Sequence, residues 1–181
     1  MASALITLEI LSTLLLLFVP LSGWQSAHLP AGAPEIGGAV AHHILMAFPA
    51  FILAAFAHAM TMFYFIGTGK TVKEARKASP EIVTEKDIAE TVRFKRITSP
   101  LLTLALALII AAPVSGGPLL VMMKNGPGGW LWLHIICVSA ALAVQVYTAI
   151  ITIRIVVENV NLLNEIDSRF PENAPGRPAA H

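Results

Sequence analysis

The sequence predicts an all-α integral membrane protein: a bundle of four transmembrane helices, with cytoplasmic N- and C-termini and a short helical cytoplasmic loop between helices two and three. Two observations carry this. Apolar residues make up 56% of the 181-residue chain and charged ones 13%, and the charges are confined to a few stretches, a distribution that a soluble domain of this size does not tolerate. Four windows, about 5–23, 39–66, 100–123 and 130–157, each supply the roughly 20 apolar residues a helix needs to cross hydrocarbon. Lipid gives the backbone no hydrogen bonds, so runs this long are helices and not barrel strands.

The first span is followed by small residues at Ser26, Ala27 and Ala31, as a cleaved signal would be, but no Lys or Arg precedes it and Glu9 lies within it. It is therefore read as a retained span, with the Glu9 carboxylate expected to reach out to the headgroups. A turn-rich outer loop with Pro30, Gly32, Pro34, Gly37 and Gly38 leads to the second span, which is expected to end at Gly67 and Gly69. The run Gly67, Thr68, Gly69, Lys70, Thr71 imitates the end of a phosphate-binding loop. The first glycine of that pattern is replaced by Tyr64, and a membrane helix stands where a strand is required, so nucleotide binding is excluded.

The cytoplasmic loop, 67–99, carries Lys70, Lys73, Arg76, Lys77, Lys86, Arg93, Lys95 and Arg96, whereas the two loops on the other side hold Lys124 alone. The positive-inside rule puts this loop and both termini in the cytoplasm. Trp24, Trp130 and Trp132 then mark the outer interface, and Phe63, Tyr64 and Phe65 the inner one. Ser79 with Pro80, and Thr84 with Asp87 three residues on, are expected to start short helices within the loop. Spans three and four are joined by an outer loop expected to run from Gly116 to Gly129. Cys137 lies inside span four, and no disulfide is possible with one cysteine. The four spans form one domain, 1–159. The tail, 160–181, is expected to extend span four through Leu162, Leu163 and Ile166 and then dissolve among Pro171, Pro175 and Pro178.

Spans two and four run in the same direction, and His43 and His134 lie at matching depth near their starts. At helical spacing from His43 come Ala47, Ala50, Ala54, Ala57 and Thr61; from His134 come Val138, Ala141, Gln145, Thr148 and Thr152. Both histidines thus head the faces of small and polar residues expected to turn inward. Two facing imidazoles in lipid suit the axial positions of a b-type haem, whose apolar macrocycle needs a slot floored by small side chains. Over these spans the chain is similar in architecture to membrane cytochromes that hold haem between helices. His58 lies roughly 22 Å deeper than His43 and roughly 60° round the helix, an arrangement that resembles proteins stacking two haems, although no histidine in another span is level with it. His42 is the alternative to His43 as ligand, about 100° round the helix.

Two other classes use the same residues. His28, Glu35, His42, His43 and His134 are candidate outer-face ligands for zinc or copper. Alternatively the chain binds no cofactor and braces a larger membrane assembly as an accessory subunit. No nucleophile, paired carboxylates or phosphate loop marks a hydrolase or transferase. The expectation is a subunit of an electron-transfer or energy-converting complex in a bacterial inner membrane, with other membrane subunits and the bilayer as partners, and with no nucleic acid or nucleotide.

Overall fold

Long apolar runs rich in Leu, Ala, Ile and Val propagate as helix once started, and turn residues interrupt them at few places. The computed structural model describes residues 1–29, 33–122 and 129–171, and among these the only regular structure is four helices: α1 (Ala2–Ala27), α2 (Ile36–Ala78), α3 (Glu85–Met122) and α4 (Gly129–Ser168). All four are long and apolar enough to cross a membrane. Each packs on two neighbours, α1 on α2 and α4, and α3 on α2 and α4, while the diagonal pairs scarcely touch. Contacts such as Ser22 with His43 and Ser115 with His134 make chain neighbours antiparallel, so α2 and α4 stand at opposite corners and run the same way.

The stripes of small residues face inward as expected. Ala50, Ala54, Ala57 and Thr61 on α2, and Ala141, Gln145, Thr148 and Thr152 on α4, are all buried. Small side chains let helix backbones approach closely, which is how helices associate where lipid supplies no hydrophobic drive. The bulky residues are outside, among them Leu14, Phe18, Leu45, Phe48, Phe56, Ile136 and Ile150. Acyl chains are a matched solvent for that surface.

Several expectations are corrected at the end of the bundle that holds the start of α1 and the end of α4. The second helix does not stop at Gly67 and Gly69 but continues to Ala78, and α3 begins at Glu85, so the segment expected as a loop with short helices is a hairpin of two membrane helices prolonged past the apolar windows. A glycine permits a helix to end without requiring it. Here the following residues are good helix formers, and Val72 and Ala75 gain burial against Val83, Leu163, Ile166 and Phe170. The turn is therefore confined to 79–84. Its exit is the expected N-cap: the Thr84 N–H and hydroxyl both donate to Asp87 Oδ2, at 2.7 and 2.9 Å, and the Asp87 N–H returns to the Thr84 hydroxyl. Arg169, from the end of α4, donates to the same Oδ2 at 2.8 Å. Burial alone would raise the Asp87 carboxyl, but these donors outweigh it and hold it below the ordinary carboxylate range.

The aromatic belt is also revised. Trp24, Trp132 and Phe63 are exposed, but Tyr64 and Phe65 belong to a core with Leu5, Phe94, Ile155 and Val156, and the Tyr64 hydroxyl accepts from Asn159 Nδ2. The extension of α4 through Leu162, Leu163 and Ile166 is present, ending at Ser168. At the other end, α3 runs through Gly116 to Met122, where a loop had been expected from Gly116 onward. Lys124, the side chain of Trp130 and the tail beyond Pro171 lie outside the described residues.

Candidate functional site

Near the starts of α2 and α4, His43 and His134 turn into the bundle from opposite corners. Their ring centres are 6.4 Å apart and their planes stand at 88°. The residues that fix each ring come from the preceding helix. On α1 the Ser22 hydroxyl donates to the Val19 carbonyl at 2.8 Å, and its oxygen lies 3.0 Å from His43 Nδ1. On α3 the Ser115 hydroxyl donates to the Ala112 carbonyl at 2.7 Å, and His134 Nδ1 lies 3.1 Å from both the Ser115 oxygen and the Ala112 carbonyl.

These contacts settle the tautomers. A carbonyl accepts only, and a serine hydroxyl whose hydrogen is committed to a carbonyl must accept from its other neighbour. Nδ1 is therefore the protonated nitrogen of both rings, and each Nε2 keeps its lone pair. Glycine completes the arrangement. A Cβ at Gly23 would stand 3.0 Å from His43 Cε1, and one at Gly116 would stand 3.0 Å from His134 Cε1, so each ring lies against a helix face that only glycine leaves open.

The two halves of the site repeat one another. Pro20, Ser22 and Gly23 match Pro113, Ser115 and Gly116, with the histidine twenty residues after the glycine in one half and eighteen in the other. The hairpins α1–α2 and α3–α4 thus carry the same local arrangement of serine, glycine and histidine. Sequence reasoning passed over Ser22, Gly23, Ser115 and Gly116, reading the last as a loop residue. The twice-occurring Pro-x-Ser-Gly was the signal that could have found them.

The remaining histidines sit elsewhere. His42 is exposed on another face of α2. His28 is exposed and bonded through Nδ1 to the Trp24 carbonyl, and Glu35 is exposed. Among the described residues no group of three or more His, Cys, Asp or Glu side chains is placed to hold a metal ion. His58 is fully buried, and side chains occupy both of its nitrogens: Glu9 Oε1 lies 3.3 Å from Nδ1 and Gln145 Oε1 lies 2.9 Å from Nε2. Glu9, expected at the headgroups, is 1% exposed inside the bundle, because His58 and Thr61 offer its carboxylate partners there. The chain matches no protein-family model, no curated protein and no solved structure.

Proposed function

We propose that the chain is an integral membrane subunit of an electron-transfer complex and holds one b-type haem between α2 and α4, with His43 and His134 as axial ligands through Nε2. The observation that carries this is the pair of facing imidazoles, both fixed as Nδ1–H tautomers. A metal-ligating histidine commonly donates its other N–H to a carbonyl or similar acceptor, which orients the ring and raises its basicity. Two imidazoles bonded to opposite sides of one metal at about 2 Å have ring centres on the order of 6 Å apart. The observed separation is 6.4 Å.

The surroundings suit the group as well. Ala47, Ala50 and Ala141 flank the histidines with small side chains, and Gly23 and Gly116 let each ring press close to a neighbouring helix. Haem iron needs only two protein ligands, so the want of a three-residue metal cluster does not bear on it. Haem bound there would supply one-electron oxidation and reduction. The protein residues would fix the axial rings, exclude water and set the polarity around the group. The basic end with the 79–84 turn belongs in the cytoplasm on this reading, and the histidine end faces the opposite side.

The test is the reduced-minus-oxidised absorption spectrum of the purified full chain. The expected result is a haem b difference spectrum that disappears in both His43→Ala and His134→Ala while the variants still insert into the membrane, since insertion follows total hydrophobicity. His58→Ala should retain it. A wild-type chain without that absorption, or variants that keep it unchanged, would leave the cofactor-free accessory subunit as the better reading.

A further inference from the structure

The haem proposal makes no use of the most polar cluster in the bundle, which lies deeper, around Glu9 and His58. We propose that these two side chains form a proton-binding site inside the membrane, served from the end with the 79–84 turn by the polar stripe of α4. The site is separate from the haem, and its hydrogen positions follow from its neighbours. Gln145 donates its amide N–H to the Thr13 hydroxyl at 3.0 Å, so its oxygen faces His58 and accepts from Nε2–H at 2.9 Å. Thr61 donates to Glu9 Oε1 at 3.2 Å, and the same oxygen meets His58 Nδ1 at 3.3 Å. With Nε2 already protonated, a proton on Nδ1 makes His58 an imidazolium paired with the Glu9 carboxylate.

That pair is neutral overall, which is the condition for a carboxylate to remain this deep in a low-dielectric interior. Glu9 Oε2 is buried without a hydrogen-bond partner. It is the atom open to a further proton: uptake there converts the Glu9 carboxylate to a carboxylic acid. Release reverses the step. Among the described residues no other ionisable side chain is buried at this level. Beside Glu9 from α1 and His58 from α2, α4 contributes Gln145, Thr148 and Thr152, and the buried carboxyl of α3, Asp87, lies at that helix's far start.

Among the described residues three further buried polar side-chain atoms lack partners, and all are on α4: the Thr148 and Thr152 hydroxyls and Asn159 Oδ1. With Gln145 they lie on one face, at steps of three, four and seven residues, and descend toward the turn end over roughly 21 Å. Buried polar groups left unsatisfied by protein are ordinarily served by water, and the Thr148 and Thr152 hydroxyls, about one and two turns beyond Gln145, are where water would reach the pair, with Ile155 and Val156 of the apolar core standing between them and Asn159. The repeat shows that this is a dedicated feature. Counted from the matching glycines and histidines, the positions equivalent to Glu9 and His58 of the first hairpin are Leu102 and Ala149 of the second, and the position equivalent to Gln145 of the second is Ala54 of the first, all buried and apolar. The acid and the imidazole come from the first hairpin and the amide from the second, and none of the three recurs at its matching position.

Infrared difference spectroscopy of the purified full chain, in a hydrated lipid film taken from neutral to acid pH, tests this. The expected result is growth of the carbonyl stretch of a protonated, buried carboxyl, absent in Glu9→Gln and displaced in His58→Gln. A wild-type spectrum with no pH-dependent carboxyl band, or one that Glu9→Gln leaves intact, overturns the site. In the double variant Thr148→Val with Thr152→Val the band should exchange with deuterium several times more slowly, and an unchanged rate overturns the route. The readout needs no haem, so loss of the haem absorption and loss of this band are separate outcomes.

Discussion

At the residue scale, His43 and His134 each owe their geometry to a serine and a glycine on the helix before them. The histidines themselves were legible in the sequence, because matching depth and inward stripes follow from helical periodicity. Ser22, Gly23, Ser115 and Gly116 were not, because spacing within one helix says nothing about which neighbouring helix meets it. Glu9 failed for a related reason: near a helix start it looks like a headgroup carboxylate until the buried His58 and Thr61 are seen around it. Gly23→Ala and Gly116→Ala should each displace the facing ring, since a Cβ would stand 3.0 Å from its Cε1. Loss of an outer partner of a ligating histidine commonly costs about 10–100-fold in affinity, so each variant should retain haem correspondingly less well, as measured by haem-to-protein ratio after detergent washing. Full retention with an unchanged spectrum would show that the glycines do not seat the rings.

At the element scale, the prolonged hairpin of α2 and α3 is held by a small apolar core and by ion pairs that cross between helices. Arg76 reaches Glu85 at 2.8 Å, Arg93 reaches Glu158 at 3.1 Å, and Arg169 binds Asp87 at 2.8 Å. The exposed pairs contribute little individually, whereas Asp87 is buried, caps α3 and ties it to the end of α4. Asp87→Ala should destabilise this end by about 2 kcal/mol, combining a lost cap with a broken, partly buried ion pair. Because the folded carboxyl is held below its unfolded value, its contribution is complete above about pH 4, the unfolded carboxylate value, and fades as pH falls through the lower folded value. Thermal melts in detergent should show wild type losing stability through that acid range and Asp87→Ala losing less. Equal acid sensitivity would remove Asp87 from the account. The Thr84 and Asp87 cap was readable because its signal is local; the continuation of α2 past Gly69 was not, because it depends on burial of Val72 and Ala75 by α4.

At the scale of the whole molecule, the four spans were plain from composition, whereas the relation between the two hairpins emerged only when Ser22 with His43 was set beside Ser115 with His134. The charge asymmetry predicts that Lys86 and His181 are accessible from one side of the membrane and Lys124 from the other, by residue-specific labelling of oriented vesicles; Lys86 labelled together with Lys124 would invert the layout. The broad outward apolar faces, with Phe48, Phe56 and Phe63 exposed on α2, lead us to expect the chain in a larger assembly when extracted in mild detergent, and a stable monodisperse monomer would argue against it. The central claim, one haem between two perpendicular imidazoles, is tested most directly by electron paramagnetic resonance of the oxidised chain. Axial rings with planes at 88° predict a low-spin ferric signal of strong anisotropy, lost in either histidine variant. A high-spin signal in the wild type, or no haem signal at all, would contradict it.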